Sequence, residues 1–317
     1  MAEINDLAAV AAYSSLVDAL RAVFGGETEV TEQKRVYGGD INDAYELHLS
    51  GGQRIFMKTN QINNYRFFET EARGLEALRS ACAIGVPQLL GIGTDRQRGF
   101  SFLLLEYMES ASPIKDYWEV FGQQLAQMHR ADCMDFVQTH LPEGKASAGG
   151  EARYGFPEDN YIGATVQKNT PKGSWIEFYR DCRLLPQIKM ADRYFDSGLR
   201  KKLDRLLSHL DSYIREPEFP SLVHGDLWGG NVLCGNDGRA WLIDPAAYVG
   251  DFETDLAMTE LFGRFPQTFY EAYHEVNPVE SGYRQRKKIY QLYHLLNHLN
   301  LFGRSYLGSV AAVLEEL

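Results

Sequence analysis

The chain has 317 residues, enough for one large domain or two lobes with ample core. Hydrophobic residues make up 44% and charged residues 24%, the balance of an ordinary soluble globular protein. A net charge of −11 argues against nucleic acid or an anionic membrane as a main partner, yet tolerates a cationic small molecule. Cys82, Cys133, Cys182 and Cys234 lie far apart with no CxxC pair, which excludes a zinc site or a disulfide framework. The first six residues carry two acids, and no long apolar run follows. A signal peptide is therefore not expected, and the reading is a reducing, cytoplasmic location.

Residues 7–24 place Leu7, Val10, Ala11, Leu16, Val17, Leu20 and Phe24 at helical spacing, with Gly25-Gly26 as a stop. From about 29 to 58 the pattern turns strand-like, interrupted at Gly38-Gly39 and Gly51-Gly52 as hairpin turns would interrupt it. A helix is expected over 66–80, with Phe68, Ala72, Leu75 and Leu78 along one face. Another strand pair opens at Val86-Pro87 and closes with Phe100 to Glu106. Between these strands, Gly91-Ile92-Gly93-Thr94-Asp95-Arg96 lacks the third glycine and following helix of a dinucleotide fingerprint, so it reads as a turn.

Around Glu109 to Pro113 the chain becomes connector, and helices dominate after it. Phe121, Leu125 and Met128 make one apolar face in 118–130; Ile289, Leu292, Leu295, Leu296 and Leu299 make another in 284–302. The segment 141–174 is rich in Gly, Pro, Asn, Lys and Thr and reads as a long loop or insert near the cleft. The predicted architecture is α+β and two-lobed. A small antiparallel-sheet lobe over 1–108 ends in a hinge, and a larger helical lobe spans 109–317. A ligand cleft is expected between the lobes.

The chemistry concentrates at 224–231, His-Gly-Asp-Leu-Trp-Gly-Gly-Asn, followed by Leu-Ile-Asp-Pro at 242–245. Phosphoryl transfer is mostly positioning and charge neutralisation, so it needs hard oxygen ligands for Mg²⁺ beside an acceptor for the substrate proton. The H-x-D-x-x-x-x-N spacing supplies Asp226 as the acceptor and Asn231 as one ligand; Asp244, after the apolar run 240–243, supplies the other. A plain polar turn between strands would share the composition but not this joint spacing. His224 reads as a packing residue of the loop, and Asp255 as an anchor for the loop's backbone N–H groups.

Lys58 on a strand and Glu71 on the next helix have the order in which kinases aim an ammonium at the α- and β-phosphates. Glu69, two residues away, belongs to another helix face. Between two strands, Gly38, Gly39, Asp40, Ile41 and Asn42 would form the turn over the phosphates, where glycines let N–H groups approach anionic oxygens. Glu106 and Met108 fall where the lobes join, so the Glu106 carbonyl and Met108 N–H are the expected partners of an adenine edge. There is no GxxxxGK[ST], so a P-loop is excluded. His294 and His298 are four apart on a helix but lack the Glu of H-E-x-x-H, and read as a structural pair.

These residues together resemble the fructosamine (ketosamine-3-)kinase family, relatives of the aminoglycoside phosphotransferases in the protein-kinase-like fold. The resemblance rests on His-Gly-Asp-Leu-Trp at 224–228 with Asn231, on Ile243 to Ala246, and on Gly250-Asp251, Glu253 and Asp255 to Met258. It extends to Phe121 to Ala126 with Met128-His129, and to Tyr154-Gly155-Phe156, Asn160 to Gly163, Trp175, Phe178-Tyr179, Arg183 and Pro186-Gln187. It runs from about residue 35 to 305. What it implies is ATP- and Mg²⁺-dependent phosphorylation of the 3-hydroxyl of ketosamines, the sugar adducts of amines, and so deglycation repair. Asp226 is then the base, Asn231 and Asp244 hold Mg²⁺, Lys58 and Glu71 orient phosphates, and Trp228 walls the sugar pocket. Many eukaryotic members carry Cys where this chain has Asp40, so a thiol switch is not expected here. Two alternatives stay open: a kinase for an aminoglycoside or a choline-like amino alcohol, and a nucleotide-binding regulator without turnover.

Overall fold

The computed structural model describes residues 11–36, 42–138 and 152–317. The turn residues Gly38, Gly39, Asp40 and Ile41 lie outside them. A six-stranded sheet is built from β1 (Ala12–Tyr13), β2 (Val30–Val36), β3 (Asp43–Leu49), β4 (Arg54–Gln61), β5 (Leu89–Asp95) and β6 (Phe100–Glu106) in the order β1-β5-β6-β4-β3-β2. All its pairings are antiparallel except β1 with β5.

Side-chain alternation along the strands gives the sheet two covered faces. Ile55, Met57, Phe102 and Leu104 pack with Leu16, Ala19 and Leu20 of helix α1 (Leu16–Phe24). Leu103 and Leu105 point the other way, toward Phe68, Ala72, Leu75 and Leu78 of helix α2 (Tyr65–Ser80). Lys58 follows Met57 on β4, so the same alternation turns its side chain toward α2 rather than α1.

Two expectations for this sheet are corrected. Of the helix read over 7–24, residues 7–10 lie outside the described residues, and α1 begins at Leu16, where the Ser15 hydroxyl caps it by accepting the Asp18 N–H at 3.1 Å. Ala12 and Tyr13 are instead extended beside Ile92 and Gly93. The segment read as a turn at 91–96 is mostly strand β5. Its glycines serve close approach, since a Cβ on Gly91 would sit 2.7 Å from the Tyr13 ring and one on Gly93 would sit 2.4 Å from the Tyr13 carbonyl.

The second lobe is helical: α3 (Tyr117–Arg130), α4 (Asp135–Gln138), α5 (Trp175–Phe178), α6 (Leu185–Ala191), α7 (Ser197–Ser208), α8 (Glu253–Thr259), α9 (Gln267–Val276), α10 (Tyr283–Phe302) and α11 (Leu307–Glu315). Six short strands form three pairs: β7 (Asn160–Ile162) with β8 (Thr165–Gln167), β9 (Ser221–Val223) with β12 (Tyr248–Gly250), and β10 (Val232–Cys234) with β11 (Ala240–Leu242). Its core is continuous with the α2 side of the sheet, through Phe121, Leu125, Leu222 and Leu227.

The described part of the segment read as a loop over 141–174 sends many side chains into the core. Tyr154, Phe156 and Ile162 are buried, Gly155 exchanges backbone hydrogen bonds with Val249 at 3.1 and 2.8 Å, and residues 160–167 form the β7–β8 hairpin. Its polar residues misled the composition argument because they bond inward: Asn160, Gln167 and Asn169 are all buried. Among the described residues no helix is long and apolar enough to cross a membrane.

Candidate active site

Asp226 lies in the loop between β9 and β10, and Asp244 in the turn after β11, so two short strand pairs bring the acids to one end of the second lobe. The loop is held from beneath. The Asp255 carboxylate on α8 accepts the His224 and Gly225 N–H groups at 2.7 and 2.9 Å. Asp255 is itself fixed by His129 at 3.1 Å, and His129 by the Tyr273 hydroxyl at 2.8 Å. Burial opposes its charge, but the His129 bond and the surrounding donors hold its carboxyl below the ordinary value.

His224 is fully buried and joins two parts of the site: Nε2 donates to the Ile243 carbonyl at 2.9 Å, and Nδ1 accepts the Asp226 N–H at 3.2 Å. This pattern assigns the Nε2–H tautomer, and burial lowers the imidazole pKa so the ring stays neutral. His224 and Asp255 therefore stand where the sequence put them, as supports.

The loop also depends on Gly225, which sits at φ +81° with the position of a Cβ 2.2 Å from the Ala246 carbonyl oxygen. That backbone contact cannot yield as a side chain would, and φ is unfavourable for any L-residue. Gly225→Ala is expected to cost about 1–3 kcal/mol of stability and most of the activity, measured as a Tm drop alongside turnover.

Asp226 itself is only partly accessible. The Asn231 amide nitrogen donates to its carbonyl at 2.9 Å and to its carboxylate Oδ2 at 3.2 Å. Burial dominates, and with the nearby Asp244 and Asp255 charges it pushes the carboxyl pKa up to about 7, against the lowering bond from Asn231. His294 on α10 approaches Asp226 Oδ1 to 3.9 Å, and burial, with His298 beside it, depresses its pKa to about 3. His298 stacks on Phe262 at 4.6 Å between centroids.

On the sheet side, Lys58 is 7% exposed and its ammonium reaches both Glu71 Oε1, at 2.6 Å, and Asp244 Oδ1. Burial works against the charge, but the two carboxylates override it and raise the ammonium above its ordinary pKa. Glu69 pairs instead with Arg73 at 3.7 Å, as its helix face dictates. Asp244 adopts φ +56°, a left-handed conformation rare for a non-glycine residue, and its side chain is 44% exposed. Gly74 on α2 lets Pro245 approach, its Cγ 3.3 Å from the position of a Cβ.

Other candidates lie around this centre. Asn42 accepts a hydrogen bond from the Asn60 amide at 2.6 Å, tying it to β4 two residues from Lys58. Glu106 ends β6 and exchanges bonds with Gln88, its backbone N–H donating at 2.9 Å and its carboxylate accepting at 3.1 Å. The Met108 methyl lies beside Gly235, 3.1 Å from the position of a Cβ there. Trp228 is 39% exposed, its indole over Gly230. Sequence reasoning missed the approach of His294 to Asp226 and the buried amides of the β7–β8 hairpin. A helix-face reading of 284–302 placed His294 correctly but carried no signal of what it faced.

The two-lobed arrangement, with Lys58 bonded to Glu71 and Asp244 and with Asn231 bonded to Asp226 near Asp244, is that of the kinase-like phosphotransferases. Solved macrolide 2′-phosphotransferase type I has this fold, at TM-score 0.58 and 16% identity over 94% of each chain. The sequence profile of the fructosamine kinase family matches residues 12–317, and the chain belongs to that family. A candidate ketoamine kinase of Synechocystis sp. is 39% identical over 96% of this chain and 97% of its own length. The chloroplastic protein-ribulosamine 3-kinase of Arabidopsis thaliana is 36% identical, over 92% and 84%. The crystal structure of a candidate fructosamine-3-kinase from Haemophilus somnus superposes at TM-score 0.81 with 29% identity, over 95% and 96% of the two chains.

Proposed function

We propose that this chain is an ATP- and Mg²⁺-dependent kinase that phosphorylates the 3-hydroxyl of ketosamines, free or protein-borne, in deglycation repair in the cytoplasm. The observation that carries the reading is the Lys58 ammonium held jointly by Glu71 and Asp244, with Asp244 near enough to Asp226 to help push that carboxyl's pKa up to about 7. Residues 1–108 serve as the nucleotide lobe and 109–317 as the lobe carrying substrate. Lys58, kept charged and aimed by Glu71, orients the α- and β-phosphates. The turn from Gly38 to Asn42 covers them, and the Glu106 carbonyl and Met108 N–H receive the adenine edge.

The donor set suits Mg²⁺. Asn231 spends its amide nitrogen on Asp226, which fixes the plane of the amide and turns its oxygen the other way. Asp244 adds an accessible carboxylate, and Mg²⁺ is commonly held by one or two such groups plus phosphate oxygens. Bound there, the ion would neutralise charge on the transferred phosphoryl group. Asp226, in the ionised form that prevails above about pH 7, accepts the substrate hydroxyl proton, and Trp228 walls the sugar.

ATP consumption by purified protein with Mg²⁺ tests this against ribulose-lysine, fructose-lysine, kanamycin and choline. Turnover on a ketosamine, lost in Asp226→Asn, is expected. Turnover confined to kanamycin or choline would move the substrate to the aminoglycoside-like alternative and leave the mechanism standing.

A further inference from the structure

Protein kinases switch by moving the helix that carries the glutamate partner of the strand lysine. Here the corresponding helix, α2, is held from outside the sheet lobe. Phe67 stacks on Tyr161 of β7, with centroids 3.9 Å apart and planes at 18°. Glu158, just before β7, receives Arg73 at 2.8 Å and Arg66 at 3.5 Å, both from α2. Phe67 is one helical turn before Glu71, on the same side, so a displacement at Tyr161 is passed directly to Glu71.

The other side of the same hairpin grips the segment that follows Asp244. Asn160 donates to the Ala247 carbonyl at 2.8 Å and Gln167 to the Ala246 carbonyl at 2.9 Å. The hairpin is rigid at this point because its buried amides are cross-linked: Gln167 and Asn169 each donate to Asn160 Oδ1 at 2.8 Å. Tyr293 donates to Gln167 at 2.7 Å, and buried Arg183 donates to Asn169 at 2.9 Å while lying 3.8 Å from the Tyr248 ring centroid. The three amides of this buried network are satisfied, with Arg183 Nε left without a partner, and satisfied buried amides specify one geometry.

We infer that the β7–β8 hairpin is a fixed clamp that sets Glu71 and Asp244 against Lys58, so the site is assembled without an activating switch. Glu158, Tyr161 and Phe67 act as positioning residues through α2, while Asn160 and Gln167 act through the 246–247 backbone. The inference rests on the reading of Lys58 and Glu71 given above.

A double-mutant cycle tests it in the full chain, with Kd for ATP in Mg²⁺ buffer as readout. Tyr161→Ala should weaken nucleotide binding about tenfold, leave KM for the ketosamine unchanged, and add little further loss in a Glu71→Gln background. Wild-type affinity in Tyr161→Ala, or full additivity with Glu71→Gln, overturns the clamp. Should Tyr161→Ala not fold, Glu158→Gln carries the same cycle, since it removes only the ion pairs to α2.

Hydrogen exchange of the α2 amides in ligand-free protein reads the clamp without any substrate: exchange should quicken in both hairpin variants, and unchanged protection overturns it. Failure of the wild-type protein to bind nucleotide, by contrast, would overturn the reading of the site and leave the exchange result to judge the clamp.

Discussion

Asp226→Asn is expected to lower kcat by about 10²–10⁴, the usual contribution of a positioned general base, while Kd for nucleotide stays near the wild-type value. The substitution is close to isosteric, and the Asn231 amide can still donate to the backbone carbonyl and to a side-chain oxygen at position 226. The loss is therefore one of proton acceptance rather than of loop shape. Near-normal turnover in the variant would remove Asp226 from the role of base.

The same substitution separates function from stability. Burial and the Asp244 and Asp255 charges raise the Asp226 pKa to about 7, so in the metal-free folded protein its ionised form is disfavoured relative to the unfolded chain. Between the ordinary carboxylate range and about pH 7 the folded state binds more protons than the unfolded one. The penalty therefore grows as pH rises through that window and is constant above it. Asp226→Asn removes it, so the variant should melt higher than wild type at pH 8 and equal to it near pH 4. A variant both less active and more stable marks a group kept for chemistry at a cost to the fold.

How legible this was depended on the range of the interaction. The order of Lys58, Glu71, Asp226, Asn231 and Asp244 follows from strand alternation, a helix face and a loop spacing, which are local properties, and the structure bonds Lys58 to Glu71 and Asp244, and Asn231 to Asp226. Asp255 was readable as an anchor because a carboxylate in the first turn of a helix beside a glycine-rich loop has N–H groups to accept. Where the fate of a residue depended on distant partners, the reading failed. Gly91 and Gly93 looked like turn residues, but what they accommodate is Tyr13, nearly eighty positions earlier. Asn160, Gln167 and Asn169 looked like loop residues, but their amides are spent on the Ala246 and Ala247 carbonyls and on one another. Polarity in sequence does not distinguish a solvated amide from a buried, satisfied one.

The second large effect is expected at Asp244, where backbone and side chain can be tested apart. Asp244→Ala should abolish Mg²⁺-dependent nucleotide affinity and lower kcat by roughly 10²-fold or more, since a single preorganised electrostatic stabiliser is worth that much. Alanine also inherits the left-handed φ of +56° without the short polar side chain that makes aspartate tolerable there. Asp244→Gly removes the same carboxylate but relieves the backbone, because glycine adopts positive φ freely. Both variants leave Lys58 with Glu71 as its remaining carboxylate partner, so the difference between them isolates the backbone cost. If the carboxylate is the Mg²⁺ ligand, Asp244→Gly melts higher than Asp244→Ala yet is equally unresponsive to Mg²⁺. Unchanged Mg²⁺ titration of nucleotide binding in Asp244→Gly would refute the ligand assignment. Recovery of turnover in Asp244→Gly but not Asp244→Ala would mean that the residue matters for the shape of the turn alone.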